Sequence, residues 1–178
     1  MKIKKIYQGE LPENTILNAE STSQTDTYSC EYINNLVNKE INYISVNKYQ
    51  NDPLSLSQGF SKVSLLNTMS KGGNKLTLSN SNIVIGAGVS KIRTDGALAL
   101  YNATGTFGVA IIKNNNTEAG RLTMAWGDGT ANKDSYILTT TAYADVQEGD
   151  VISLYLYAGT SQTANVQNNC QLNVEVIG

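Results

Sequence analysis

Two segments of the chain bring carboxylates close together, and these are the side chains that could do chemistry. The segment from Asp128 to Asp134 offers oxygen ligands for Ca²⁺, but Lys133 lies within it and its spacing departs from that of an EF-hand loop. The segment that holds Asp145, Glu148 and Asp150 could bind a cation or supply a paired acid and base. Nothing near these acids in the sequence would raise one pKa above the others. We therefore interpret the first segment as a plain loop and the second as a solvated turn.

The residue types that are missing exclude most catalytic chemistry. The chain has no histidine, which removes the commonest general base and the commonest metal ligand. Its two cysteines, Cys30 and Cys170, form no Cys-x-x-Cys unit, so we expect free thiols that are not bonded to each other. Gly86 and Gly88 lack the third glycine and the helix of a nucleotide-binding loop, which predicts a tight β-turn. We predict no catalytic residue, no metal, no cofactor and no enzymatic activity.

Composition also limits the partners. A net charge of −2 and a pI near 5.1 leave no basic surface to neutralise phosphates, so we expect no nucleic-acid binding. No apolar run is long enough to cross a bilayer, so we expect no membrane insertion. The first residues are basic, as at the start of a secretory signal, but residues 8–12 (QGELP) follow where an apolar stretch would be needed. We expect a protein that is made in a host cytoplasm and then stays soluble or joins a particle.

From about residue 60, apolar residues recur at every second position, which is the period of half-buried strands. The strands are marked by Val63 and Leu65, Leu76 and Leu78, Ile83 and Ile85, Leu98 and Leu100, and by the runs 107–112, 122–126, 151–157 and 172–176. Turn-forming clusters rich in Gly and Asn separate them at 71–74, 102–105, 114–120, 127–130 and 148–150. Short, evenly spaced strands without an intervening helical period predict an all-β antiparallel sandwich or barrel.

The run 151–157 is apolar or aromatic on both faces. Its aliphatic residues alternate with Tyr155 and Tyr157, so the two tyrosines share the face opposite the core. A strand of this kind is covered on both sides, which predicts that Tyr155 and Tyr157 lie in a subunit interface. The alternative is a half-exposed surface with the tyrosine hydroxyls in water.

Trp126 is the only tryptophan, and it could stack on a sugar ring. The period of two places it on one face with Leu122 and Met124. Packing in the core is therefore the simpler expectation for this residue.

Residues 60–178 resemble the C1q/TNF-like jelly roll in the variant found in bacterial and phage surface proteins. The resemblance is carried by residues 85–93 (IGAGVSKIR), by residues 146–155 (VQEGDVISLY) and by the closing strand 170–178 (CQLNVEVIG). It implies an antiparallel jelly-roll sandwich whose last strand lies centrally in its sheet, and it implies a homotrimer.

Residues 1–40 differ from the rest, because they are mostly polar and contain one predicted short helix at about 30–38. Tyr32, Ile33, Leu36 and Val37 form its apolar stripe, which needs a partner. Residues 16–19 (ILNA) and 23–36 (SQTDTYSCEYINNL) resemble a segment near the start of phage and prophage structural proteins. The resemblance implies a docking element, so we predict two parts: a virion-docking extension at 1–40 and a jelly-roll head domain at 41–178.

Together these features predict a structural protein of a bacteriophage virion, most simply a trimeric head fibre or capsid decoration. Its expected partners are two further copies of itself and capsid or tail proteins, with a host-surface glycan as an additional candidate. A tail-tip receptor-binding protein and a secreted lectin-like carbohydrate-binding module are the alternatives. The missing secretory signal argues against the lectin, and the missing shaft argues for the head rather than the tail.

Overall fold

The computed structural model describes residues 41–48, 52–129, 136–160, 162–167 and 169–178. The predicted helix at 30–38 and its stripe of Tyr32, Ile33, Leu36 and Val37 lie outside these residues, as does Cys30. The described residues form strands linked by turns and short irregular segments. The strands are β1 Tyr43–Asn47, β2 Asp52–Leu56, β3 Gly59–Lys62, β4 Asn67–Gly72, β5 Leu76–Ser79, β6 Asn82–Ile85, β7 Lys91–Tyr101, β8 Gly105–Lys113, β9 Arg121–Gly129, β10 Tyr136–Asp145, β11 Val151–Ala158, β12 Gln162–Val166 and β13 Gln171–Val176.

The strands pair into two antiparallel sheets, which confirms the predicted all-β sandwich. One sheet has seven strands in the order β2-β12-β7-β13-β1-β4, with β10 along the other edge of β7. The other has six strands in the order β5-β6-β11-β8-β9, with β3 added beside β11. The closing strand β13 lies between β7 and β1, at the central position that the resemblance implies.

The core fills the space between the sheets, and alternation along each strand supplies it. Ile152, Leu154 and Leu156 of β11 are fully buried, as are the alternate residues Phe107, Val109 and Ile111 of β8. Across from them lie the inward-facing side chains of the seven-stranded sheet: Ile44, Val46, Ile92, Leu98, Leu100, Leu172 and Val174. Each buried side chain of this size contributes about 2 kcal/mol, and a one-residue slip in pairing would move a whole strand's set to solvent.

Three details of the predicted strand pattern are wrong. Val63 and Leu65 are buried as expected, but they follow β3 in irregular structure, where the Val63 amide donates to the Leu154 carbonyl at 2.9 Å. Strands β1, β2, β4, β10 and β12 were not predicted. Gly127 and Gly129, read as part of a turn, belong to strand β9.

The glycines of β9 serve close packing rather than turning. A Cβ at Gly129 would lie 2.2 Å from the Ala103 carbonyl oxygen, and one at Gly127 would lie 3.2 Å from Cδ2 of Leu138. Only a residue without a side chain allows the neighbouring backbone and β10 to approach this closely. The glycines therefore mark the place where the sandwich closes at its β9–β10 side.

Candidate binding surfaces

The acidic segment at 145–150 is a structural anchor. Asp150 is only 5% exposed, so the expectation of a solvated turn is wrong for this residue. Its Oδ1 accepts a hydrogen bond from the Asn114 side chain at 2.7 Å, and its Oδ2 accepts one from the Gln147 amide at 3.0 Å. The Lys113 ammonium lies 3.6 Å from Oδ2 and supplies the positive charge that a bound cation would otherwise bring.

Burial alone would raise the pKa of Asp150. The hydrogen bonds from Asn114 and Gln147, together with the charge of Lys113, outweigh burial and hold the pKa below its ordinary value of 3.8. A carboxylate that stays ionised and fully engaged cannot serve as a general acid at neutral pH. Its neighbour Asp145 is exposed and pairs with Lys91 at 3.6 Å.

The other chemically suggestive residues also have structural explanations. Asp128 lies on β9, where its Oδ1 accepts a hydrogen bond from the Thr106 hydroxyl at 2.8 Å; residues 130–135 are outside the described part of the chain. Gly86 and Gly88 form the predicted tight turn, in which Gly88 has a φ of +76°. Within the parts that the structure describes, no three His, Cys, Asp or Glu side chains are grouped to hold a metal ion.

Cys170 carries a free, buried thiol, as the sequence predicts. The Ala99 amide donates to Sγ at 3.1 Å, and the thiol donates to the Ala99 carbonyl at 3.3 Å. Burial raises the pKa of this thiol to about 11, so it stays protonated and unreactive at neutral pH.

One end of the outward surface of the six-stranded sheet is closed by a polar network of the chain itself. Asn115 Oδ1 accepts hydrogen bonds from the Ser153 hydroxyl at 3.1 Å and from the Tyr155 hydroxyl at 3.2 Å. The single Ser153 proton is shared between Asn115 Oδ1 and Asn82 Oδ1, which lies nearer at 2.6 Å and also accepts a hydrogen bond from the Lys62 ammonium. Burial raises the pKa of Tyr155 and lowers that of Lys62.

Beyond this network lies a group of outward-facing apolar side chains that we call the aromatic face: Phe60, Met124, Trp126, Tyr155 and Tyr157. The ring of Tyr157 meets the rings of Phe60 and Trp126 edge-on, at centroid distances of 5.1 and 4.9 Å. Tyr155 packs with Ala110 and Ile112 beneath Phe60 and Met124 and is 8% exposed. The two tyrosines predicted at an interface thus share one face, but their own chain already covers Tyr155.

Trp126 lies on this face and is 54% exposed, so its predicted place in the core is wrong. The reason is a β-bulge between β8 and β9, where the pairing shifts between Ile111 and Ile112. Leu122 packs against the main core, whereas Met124 packs on the outward cluster. One inserted residue therefore breaks the alternation that the sequence suggested and places Leu122 and Trp126 on opposite faces.

The outward surface of the seven-stranded sheet is different, and we call it the open face. Its middle is made of small uncharged or hydrogen-bonded side chains, where Ser45 donates to Asn173 at 2.6 Å and Thr141 donates to Asp95 at 2.7 Å. Around them lie exposed apolar residues: Ile41, Tyr43, Met69, Ile137 and Tyr143. An open concavity of about 360 Å³ lies on this face beside Tyr43, Ser70 and Glu175.

Comparison with known proteins supports the fold. No protein-family model matches the chain, and no curated protein matches it. Among solved structures, murine APRIL matches at a TM-score of 0.61 with 9% identity over 78% of this chain and 100% of that chain. The Eiger TNF of S. frugiperda matches at 0.60 with 8% identity over 79% and 94%. The globular domain of zebrafish complement 1qA matches at 0.55 with 12% identity over 77% and 98%.

These likenesses show that the described sandwich is a jelly roll of the TNF-like and C1q-like type, which confirms the predicted fold class. At such low identities they show the fold alone. No helix in the described residues is long and apolar enough to span a membrane.

Proposed function

We propose that this chain is a non-enzymatic structural protein of a bacteriophage virion, a homotrimer that serves as a head fibre or capsid decoration. The observation that carries the proposal is the pairing of a jelly-roll head with a preceding segment at 16–36 that resembles the start of phage structural proteins. Asp145 and Asp150 of the acidic segment are engaged in an ion pair and a turn, which supports a head that offers surfaces rather than catalytic groups.

The trimer is supported by the family resemblance and by the open face. A rim of exposed apolar residues around a centre whose charged side chains Arg93 and Asp95 pair with each other at 3.3 Å is suited to burial against an identical subunit. Ile137 and Tyr143, on β10, are 66% and 68% exposed. In a trimer with a threefold axis, each of the three copies would bury its open face against a neighbour, and no copy would be left unpaired.

The interface at Tyr155 and Tyr157 stays a competing prediction. Because Tyr155 is already covered by Phe60 and Met124, a second subunit would gain contact mainly with Tyr157 and Trp126. The open face has more uncovered apolar area to bury, so we place the subunit contact there and treat the aromatic face as the alternative.

Two other functions fit the same fold. A tail-tip receptor-binding protein would also be trimeric and particle-bound, and labelled antibody on imaged particles separates it from a head fibre. A secreted lectin-like module would occur free of particles. Recovery of the chain only with purified particles would contradict the lectin hypothesis.

Deletion of residues 1–40 tests the virion role. We expect the remaining head to fold cooperatively and to trimerise, because the described core lies entirely beyond residue 40, but to be absent from purified particles. In the full-length chain, Ile33→Asp with Leu36→Asp should have the same effect on incorporation. Asn34→Asp with Asn35→Asp is the matched control, since it adds the same charge outside the predicted stripe.

Normal incorporation of the truncated chain would show that the docking role is wrong. Failure of the truncated chain to fold would show instead that the boundary at residue 40 is wrong.

A further inference from the structure

We propose that Trp126 and Asp128 form a carbohydrate-binding site on the aromatic face, one that stacks the apolar side of a pyranose ring and accepts hydrogen bonds from its hydroxyls. The inference deepens the proposed function, on which its biological meaning rests. It also requires that the aromatic face stays accessible in the trimer.

The pairing of the strands builds a platform around Trp126. Trp126 on β9, Gly108 on β8, Tyr157 on β11 and Phe60 on β3 follow one another in a single row across four strands. The indole and the phenol ring approach to 4.9 Å with only a glycine between their strands. A Cβ at Gly108 would lie 3.3 Å from Cε3 of Trp126 and 2.7 Å from Cε of Met124.

The indole is therefore held in place from one side and open on the other. Tyr157 meets it at an interplanar angle of 77°, an edge contact that fixes the ring without covering it. More than half of Trp126 remains exposed. A large aromatic ring fixed before binding loses little conformational freedom when a ligand stacks on it.

A carboxylate lies next along the same face of the strand. Asp128 is two residues from Trp126, which places the two Cα atoms about 7 Å apart. Thr106 on β8 fixes the Asp128 carboxylate through Oδ1, and both residues are exposed. An ionised carboxylate only accepts hydrogen bonds, and sugar hydroxyls are donors that can meet it.

These features favour a sugar over other ligands. A standard protein partner covers about 800 Å² on each side, far more than one ring and one acid offer. An organic cation would also be drawn to an indole beside a carboxylate, but aromatic cages for such cations surround the charge with several ring faces. Here the two rings meet edge to face and do not enclose a space, and more than half of Trp126 stays exposed for stacking.

Because Trp126 is the only tryptophan, the fluorescence of the full-length protein reports directly on this site. We expect saturable emission changes with at least one of methyl β-D-glucopyranoside, methyl β-D-galactopyranoside and methyl N-acetyl-β-D-glucosaminide. A ligand of this size on a shallow site should have a dissociation constant on the order of 1 mM. Glycerol at equal concentration should give no saturable change.

Substitutions then locate the binding, with saturation-transfer NMR as the readout. Trp126→Ala should weaken it more than tenfold and Asp128→Asn about fivefold. Gly108→Ala keeps both groups, but its Cβ would lie 2.9 Å from the Ala125 carbonyl oxygen and close to Met124, so β9 and the indole on it must shift; it should also weaken binding several-fold. Leu66→Ala removes an exposed apolar side chain elsewhere, and Glu118→Gln neutralises an exposed acid elsewhere; neither should change the affinity.

The inference is overturned if none of the three sugars gives a saturable signal up to 50 mM, or if tetramethylammonium chloride saturates the site and the sugars do not. It is also overturned if Asp128→Asn, a change at an exposed position, binds like the native chain. Oligomer mass and particle incorporation are measured on the same samples. A trimer that joins particles without binding sugar defeats only this inference, whereas sugar binding by a chain absent from particles defeats the proposed function.

Discussion

The outward faces of the two sheets differ in how far their own chain covers the outward-facing side chains. On the six-stranded sheet, the chain covers the outward side chains of the central strand β11: Tyr155 lies beneath Phe60 and Met124, and Ser153 is fully buried beside Asn82 and Asn115. On the seven-stranded sheet, Ile137 and Tyr143 have no such cover from the residues that the structure describes. The first face is stabilised within the protomer, and the second has apolar area left for a partner.

The difference has a local cause in what flanks β11 and β10, the strands that carry these outward side chains. Strand β11 is flanked by β3, by Asn82 at the start of β6 and by the turn at Asn115, and these supply side chains that fold over it. Strand β10 pairs only with β7 among the described strands, and small residues such as Thr139 and Ala97 lie across from each other there. An outward-facing aromatic residue is thus a sign of an interface only where no neighbouring segment of its own chain covers it.

The largest effect is expected on assembly. Ile137→Asp should convert the trimer to a monomer, because three carboxylates would enter an apolar contact, while the fold stays intact since the position is exposed. Tyr157→Asp is the matched change on the aromatic face and should leave the trimer in place. Light scattering gives both masses. If Tyr157→Asp dissociates the trimer and Ile137→Asp does not, the interface predicted from the alternation in β11 is correct and the open face is not.

A smaller effect is expected on the stability of the protomer. In the monomeric Ile137→Asp background, Tyr155→Ala should lower the free energy of unfolding by about 3 kcal/mol, because it leaves a cavity under Phe60 and frees Asn115. Tyr143→Ala removes the same ring from the open face and should change stability by less than about 0.5 kcal/mol. Urea titrations measure both. Equal losses in the free energy of unfolding for Tyr155→Ala and Tyr143→Ala would show that their own chain covers the two faces to the same extent.

Much of this organisation can be predicted from the sequence, because a strand with one buried face shows apolar residues at every second position. The runs at 107–112, 151–157 and 172–176 are strands with the predicted residues in the core. Strand β10 was missed because, beyond Tyr136 and Leu138, its core side is built from Thr140, Ala142 and Ala144, small residues that carry little hydrophobic signal. Its run of β-branched threonines at 139–141 was the available sign.

The outward faces of the sheets were harder to predict, since they depend on how the strands pair with one another. A single β-bulge decides that Trp126 faces outward, and no residue type in 121–129 marks its position. The burial of Asp150 likewise depends on Lys113 and Asn114, which are distant in sequence and meet it only across the β8–β11 pairing. The register of the sheet decides which charged side chains meet. The sequence of the acidic segment alone therefore could not show that Asp150 has hydrogen-bond and charge partners.

A third prediction concerns the polar end of the six-stranded sheet. Because the pKa of Asp150 is lower in the folded protein than its ordinary value, its ionised form stabilises the fold above that value, and the stabilisation is lost as the pH falls through the folded-state pKa. Asp150→Asn should therefore cost about 2 kcal/mol at pH 7, and the difference from the native side chain should shrink below about pH 4. Asp145→Asn, at the exposed end of the same segment, is the control and should cost little at either pH. If the loss of stability caused by Asp150→Asn did not change with pH, the shape of the Asp150 side chain rather than its charge would account for its stabilising role.

The smallest effect separates a hydroxyl that its own chain covers from one on the open face. Tyr155→Phe removes the hydrogen bond to Asn115 and should cost about 1 kcal/mol at pH 7 in the monomeric background. Burial raises the pKa of Tyr155, so the neutral phenol stabilises the fold below the ordinary pKa of about 10, and this contribution is lost as the pH rises through the folded-state value. The advantage of tyrosine over phenylalanine should therefore diminish above about pH 10. Thr141→Val removes a hydroxyl that donates to Asp95 at an exposed site, and its smaller cost should not vary between pH 8 and 11. Urea midpoints across that range measure both differences, and a Tyr155→Phe cost that stays constant to pH 11 would mean that the cover over the aromatic face lets water reach the phenol.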